Sequence, residues 1–143
     1  METTELLFTI ANTTILLAWL PLLAAPKWSL TQQMLAFPLV PFVLSFFYLF
    51  FLLTDGGLAE ADFSSLAGIL ELYRNATPEA AAAGWMHYLA FDYWVGCWML
   101  RDAQKKGVPH LLIVLPLLCT FMLGPVGIML YVIFSHTRLA FKK

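Results

Sequence analysis

Long apolar runs, separated by short polar segments, divide the sequence into four stretches of membrane-spanning length. They cover about residues 6–25, 30–53, 79–104 and 110–135. About 20 apolar residues in a helix cross the hydrocarbon core of a bilayer, because each adds ~1.5 Å. A further segment, about residues 58–75, has apolar and charged positions at helical spacing and is too polar to span. The pattern predicts a single all-α domain of residues 1–143: an integral membrane bundle of four transmembrane helices plus one amphipathic surface helix.

Proline and glycine mark where these helices start and break. Thr77–Glu79 is typical of a helix start, with a capping threonine, a proline in the first turn and an acidic residue. The polar turn at Lys105–Pro109 makes the third and fourth spans antiparallel neighbours. In the fourth span, Gly124–Pro125 interrupts the apolar run, and the proline frees the carbonyl of Phe121 because it has no N–H to donate.

The third span carries two titratable side chains, His87 and Asp92. A charged group at the centre of a bilayer costs at least about 2.5–3.5 kcal/mol, so such residues suggest function. We expect Asp92 to be neutral or paired, near Thr120, and His87 to lie near the Gly124–Pro125 break. A neutral carboxyl can donate a proton and take one back, with a neutral imidazole as the complementary base. The alternative is a packing kink with Asp92 hydrogen-bonded to a tyrosine or threonine.

Helical geometry sets how these groups relate to one another. His87 and Asp92 lie roughly 140° apart around the helix and about 7–8 Å apart along it, so they either converge on one molecule or contact different helices. The predicted catalytic residues are Asp92 and His87. The predicted substrate-binding residues are Tyr88, Trp85, Gly96, Thr120, Pro125 and Asn12. Asn12 could equally hold two helices together by a hydrogen bond.

Three other polar residues of this region have structural interpretations. Arg101 and Asp102, at the membrane edge, are most simply an interfacial salt bridge. His110 starts the fourth span at the opposite depth from His87, so the two histidines cannot ligate one haem. The chain has no recognised zinc-ligand spacing, and we expect no metal site.

Composition agrees with a membrane protein. The chain is 61% hydrophobic and 12% charged, against roughly 25% charged in soluble domains. A net charge of −1 without a basic patch argues against nucleic acid as a partner. With four spans, Arg74, Arg138, Lys142 and Lys143 fall on one side, and Lys27, Arg101, Lys105 and Lys106 on the other. The two sides carry equal numbers of basic residues, so the positive-inside rule gives no orientation.

Aromatic residues crowd the second half of the second span, at Phe46, Phe47, Tyr48, Phe50 and Phe51. Such a wall suits a long conjugated or isoprenoid molecule. Lipid-facing aromatics near the membrane interface are the alternative.

Several motifs together resemble one known family. They are Trp85–Asp92, Val95–Gly96, Arg101–Ala103, Gly107–Leu111, Pro116, Thr120 and Gly124–Gly127. These residues resemble the abscisic-acid-deficient-four-like family, whose plant members are plastid membrane proteins tied to neoxanthin synthesis. The resemblance is dense from Trp85 to Tyr131 and faint before Trp28. It implies a carotenoid or related isoprenoid as ligand and no redox cofactor. Without a plant-style transit peptide, the chain resembles a bacterial form, expected in an inner or photosynthetic membrane.

Two functions remain open. The first is a cofactor-independent carotenoid isomerase, with Asp92 as acid and His87 as base. The second is a non-catalytic pigment- or lipid-binding accessory subunit of a larger membrane complex. Membrane lipid is an expected contact in both cases.

Overall fold

All regular structure in the described part of the chain is helical. The computed structural model describes residues 3–55 and 61–141, with side chains up to residue 137. Within those residues no strand forms, which confirms the all-α prediction. The helices, in chain order, are α1 (Thr3–Ala24), α2 (Ser29–Ala36), α3 (Leu39–Asp55), α4 (Leu66–Arg74), α5 (Pro78–Lys106), α6 (His110–Leu123) and α7 (Pro125–Phe141).

Helix α5 is the central element, and α1, α2, α3, α6 and α7 all pack against it. Its start is the predicted one: the Thr77 hydroxyl accepts a hydrogen bond from the backbone N–H of Ala80, and Pro78 occupies the first turn. Gly107, in the left-handed conformation at φ 65°, ends it. Its 29 residues extend about 43 Å, more than the hydrocarbon thickness of a bilayer.

Helix α1 lies beside α5 and runs in the same direction. Near the start of both helices, the Thr4 hydroxyl donates to Glu79 Oε1 at 2.7 Å. Farther along both, the Tyr93 hydroxyl donates to the carbonyl of Ala18 at 3.4 Å. Residue numbers therefore increase in the same direction along both helices, so α1 and α5 are parallel.

The second apolar segment is bent and runs antiparallel to α5. Its two helices, α2 and α3, meet at 55°. Phe37 takes an extended conformation (φ −125°, ψ 126°) at the break, as expected for a residue that precedes proline. At its far end, the Thr77 hydroxyl donates to the Asp55 carboxylate. The connection that contains α4 thus starts and ends on the side of the α5 N-terminus.

The predicted fourth span is two helices that fold back on each other. Gly124, with φ 46°, ends α6, and its N–H donates to the carbonyl of Thr120. Helix α7 then returns along α6. At Gly127 a Cβ would clash with the backbone N and Oγ1 of Thr120 and would lie 2.5 Å from the carbonyl oxygen of Pro116.

Contacts farther along α7 give the direction of its return. The Tyr131 hydroxyl donates to Asp102 Oδ2 at 2.5 Å, and its ring packs edge-to-face against Trp98. Asp102 lies about one turn before the end of α5. A straight continuation past Gly124 would carry Tyr131 away from that end. The prediction of one transmembrane helix over residues 110–135 was therefore wrong, because apolar composition does not distinguish a span from a hairpin.

Length and composition support fewer spans than the sequence pattern predicted. Among the described helices, α1 alone is long and apolar enough to cross a membrane by itself, and the bent pair of α2 and α3 is a second candidate if counted as one span. Helices α6 and α7 are apolar but shorter. Four transmembrane helices are not confirmed.

Helix α4 corresponds to the later part of the predicted surface helix, which began at about residue 58; residues 56–60 lie outside the described part of the chain. Asp62 accepts hydrogen bonds from the hydroxyls of Ser64 and Ser65, and these bonds lower its pKa to about 2. Ser65 in turn caps α4 by accepting from the N–H of Gly68. The helix begins after this polar turn, because its side chains satisfy the first backbone donors.

Replacing Gly127 with alanine tests the close contact between α6 and α7. The new methyl group has no room, so we expect a loss of about 1–3 kcal/mol in the free energy of unfolding, as for other overpacked sites. Gly84→Ala is the matched control, because a Cβ there meets nothing within 4 Å. It should be neutral or stabilising by up to about 1 kcal/mol, the difference in helix propensity. Equal unfolding midpoints for the two variants in detergent would contradict the tight hairpin.

Candidate functional site

The tip of the α6–α7 hairpin meets α5 at Asp92, about midway along that helix. A Cβ added to Gly124 would lie 2.9 Å from Asp92 Oδ1, so the backbone of the tip approaches the carboxyl closely. Asp92 Oδ2 is buried and has no hydrogen-bond partner; within the described residues only one other buried side-chain atom, Nδ1 of His110, shares that condition. A buried acceptor without a partner is costly, typically by about 1–3 kcal/mol.

The tip also supplies a local electrostatic field. Helix α7 begins at Pro125, directly after the glycine that touches Asp92. The first N–H groups of a helix lack intrahelical acceptors and carry the positive end of its dipole. The N-terminus of α7 is therefore a favourable neighbour for negative charge on the carboxyl. Pro125 itself, predicted as a substrate-binding residue, lies at the tip and is exposed.

Two aromatic residues lead from Asp92 along the same face of α5. Tyr88 lies one turn before Asp92 on α5, and its hydroxyl interacts electrostatically with the Asp92 carboxyl. The Trp85 ring stacks on Tyr88, with centroids 5.6 Å apart. Trp85 Nε1 donates to Asn12 Oδ1 on α1 at 3.0 Å. Asn12 thus links two helices, and four of the predicted site residues form one continuous line.

Trp85 also lines a groove between the first turns of α1 and α5. The groove has a volume of about 600 Å³, and most of its surface is apolar. Its walls include Phe8 and Ala82, and Glu5 stands among its polar residues. The stacked Trp85 and Tyr88 rings join this groove to the carboxyl at the hairpin tip.

His87 is not part of this line. Its ring is exposed and contacts Tyr48 of α3, with centroids 5.8 Å apart, and Phe91 at 4.7 Å. Asp92 contacts the hairpin on another side of α5. The two side chains contact different helices, which is one of the two arrangements that their spacing allowed. The hairpin tip also has a different neighbour from the expected one: Gly124, predicted to lie near His87, lies against Asp92.

Two other predicted site residues have packing roles. A Cβ at Gly96 would lie 2.6 Å from the Trp19 ring, so this glycine accommodates an indole from α1. Thr120 is fully buried, and its hydroxyl donates to the carbonyl of Pro116 at 2.9 Å. Thr120 is therefore the residue of α6 against which Gly127 packs.

The predicted salt bridge between Arg101 and Asp102 was wrong. Asp102 pairs with Lys106 at 2.6 Å, one turn later, and accepts from Tyr131. Arg101 donates instead to the carbonyl of Leu35 at the end of α2. Consecutive residues point about 100° apart on a helix, whereas residues four apart are neighbours.

His110 joins the last turn of α1 to the start of α6. Its Nε2 lies 2.7 Å from the carbonyl oxygen of Leu23, a group that has no partner within its own helix end. In the part of the chain that the structure describes, no three His, Cys, Asp or Glu residues are close enough to hold a metal ion.

Three residues that organise the site were missed from the sequence. Trp19, which fills the space over Gly96, was one apolar residue among many. Gly127 was seen only as part of a helix break. Tyr131 lay near the far end of the predicted fourth span. A signal was present for the last two, because a Gly-Pro-Val-Gly run permits a reversal as well as a kink.

Comparison with known proteins gives one match. A family model described as ABA DEFICIENT 4-like matches residues 6–131, which include Asp92, Tyr88 and the hairpin tip. No curated protein and no solved structure matches the chain.

Proposed function

The chain belongs to the ABA DEFICIENT 4-like family, and from this premise we propose that it is an integral membrane protein that binds, and isomerises, a carotenoid or related isoprenoid. Membership makes it a relative of neoxanthin-synthase-related proteins. The substrate, the chemistry and the residues that perform it belong to the proposal.

Exposed apolar side chains support the membrane placement. Large apolar residues with more than half of their surface exposed occur on most of the long helices, among them Leu17 on α1, Leu53 on α3 and Met122 on α6. Soluble monomers rarely expose contiguous apolar surface on this scale. A surrounding lipid phase removes that cost. In this placement α1 and the bent α2–α3 segment cross the membrane, and α4 lies at its surface. Helix α5, which is less apolar, crosses among the helices that pack against it.

The unpartnered oxygen of Asp92 is the observation that carries the proposal. A ligand with a hydroxyl or epoxide group at one end would satisfy this oxygen, and its apolar remainder would lie against the Tyr88 and Trp85 rings. The groove beside Trp85 would take the far portion of a long apolar chain. These features fit an oxygenated isoprenoid better than a small polar metabolite.

One carboxyl can perform the isomerisation that the family relationship suggests. Protonated Asp92 would donate its proton to the epoxide oxygen as the C–O bond breaks. The resulting carboxylate would take a proton from a nearby carbon as the new double bond forms. One C–O and one C–H bond are lost, an O–H bond and a C=C bond are gained, and the acid is regenerated. His87, on the α3 side, has no part in this scheme.

Asp92→Asn tests this function because it preserves shape and hydrogen bonding but cannot supply the proton. We expect product formation in carotenoid-producing cells to fall at least about 10²-fold, the usual contribution of a general acid or base. The bound-ligand absorption band of the gently purified protein should persist. His87→Gln is the control and should keep turnover near the wild-type level. Normal turnover in Asp92→Asn, or loss only in His87→Gln, would contradict the assignment.

A row of exposed residues on α3 favours the second candidate, a non-catalytic accessory subunit. Phe42, Phe46, Phe50 and Leu53 recur at helical spacing and are all exposed, and the Phe42 and Phe46 rings pack edge-to-face with centroids 5.0 Å apart. Aromatic side chains are enriched where proteins bind partners.

Truncating this row separates the two functions. For an accessory subunit, Phe42→Ala combined with Phe46→Ala should abolish co-purification with larger membrane subunits, whereas Asp92→Asn should not. Leu111→Ala, at an 83% exposed position on α6, controls for loss of apolar surface in general. A monomer that retains activity after the double substitution would eliminate the accessory role.

A further inference from the structure

The two ends of the helix bundle differ in charge. At the end where α5 starts, the described acidic side chains are Glu5, Asp55, Asp62, Glu71 and Glu79. Arg74, in the last turn of α4, is the sole basic residue among the described side chains there. At the other end lie Lys27, Arg101, Lys105 and Lys106, with Asp102 as the one acidic residue whose side chain is described.

The equal count of basic residues on the two sides depended on a fourth crossing, and the described part of α7 does not make one. Helix α7 returns along α6 past Tyr131, which contacts Asp102, and continues to Phe141. Its C-terminal part therefore approaches the basic end. Arg138, Lys142 and Lys143 follow Thr137 in the sequence, and their side chains lie outside the described part.

We propose that α6 and α7 form a re-entrant hairpin that enters and leaves the bilayer on one side, and that the basic end binds the anionic headgroups of the cytoplasmic leaflet. The chain then crosses the membrane three times, and α4 lies on the opposite side. This inference rests on the membrane placement proposed above.

Charge and position together support this partner. Basic residues close to the ends of membrane helices are retained on the cytoplasmic side, whereas acidic residues contribute little to orientation. Lys27 and Lys105 are exposed, and so is Lys106 beside its partner Asp102, so their ammonium groups can reach lipid phosphates. Trp28, also exposed beside Lys27, is the type of side chain that lies at the headgroup level.

The hairpin tip lies near the middle of the bilayer in this placement, as expected for a re-entrant hairpin. Asp92, which the tip contacts, lies about midway along α5, and α6 with its 14 residues extends about 21 Å. That length reaches past the centre of a ~30 Å hydrocarbon core when part of α6 lies in the headgroups, and it does not cross. The irregular backbone at Gly124 is buried against α5, as membrane interiors require.

Labelling single cysteines with a membrane-impermeant maleimide tests the inference in the full-length protein. Cys97→Ala and Cys119→Ala remove the native thiols, and Lys105→Cys, Thr137→Cys and Tyr73→Cys introduce exposed probes one at a time. We expect Tyr73→Cys to react in intact cells, and Lys105→Cys and Thr137→Cys to react only in inverted membrane vesicles. Reaction of Thr137→Cys on the side opposite to Lys105→Cys would show a fourth crossing. Reaction of Tyr73→Cys only in inverted vesicles would overturn the orientation.

Removing basic residues tests whether the basic end determines the orientation of the chain in the membrane. Lys27→Gln combined with Lys105→Gln and Lys106→Gln should yield a mixture of both orientations, whereas Arg74→Gln should leave the orientation unchanged. An unchanged orientation in the triple variant would overturn the role of anionic lipid. Release of the wild-type chain from membranes by alkaline carbonate would instead overturn the membrane placement itself. Retention of the chain with labels on opposite sides would overturn this inference alone.

Discussion

The contact between Gly127 and Thr120 determines the architecture of the C-terminal third of the chain. No side chain fits between these two residues, so α7 packs directly on the backbone of α6. This contact closes a hairpin whose tip, Gly124, reaches Asp92 in the middle of α5. In a continuous fourth helix the same segment would pass Asp92 and leave its carboxyl facing a regular helical surface. The hairpin instead presents an irregular backbone and the start of a helix.

Helix α5 separates two environments. On one side, Asp92, Tyr88 and Trp85 face α1 and the hairpin, and one carboxyl oxygen has no partner. On another side of α5, the His87 ring contacts Tyr48 of α3 and Phe91. A spacing of five residues around a 3.6-residue turn produces this separation. The chemistry available to a bound ligand is therefore that of one carboxyl and a neighbouring phenol.

Local signals in the sequence predicted much of this structure. The helix class, the cap at Thr77, the order of the elements and the shared face of Trp85, Tyr88 and Asp92 all follow from spacing of two to seven residues. The reversal at Gly124 did not, because it depends on a contact between segments that only the fold brings together. The errors over the fourth span and over which residue lies beside Gly124 both derive from that one missed reversal.

The position of the hairpin tip at Asp92 depends on the return of α7, and a distance between the two ends of the hairpin measures that return directly. Spin labels at Lys105→Cys and Thr137→Cys, in the protein without its native cysteines, report that distance by pulsed electron resonance in lipid nanodiscs. A returning α7 predicts a distance well below the ~30 Å thickness of the hydrocarbon core. A distance at or above that thickness would show that α7 continues across the membrane, and would contradict the hairpin and the site built on its tip.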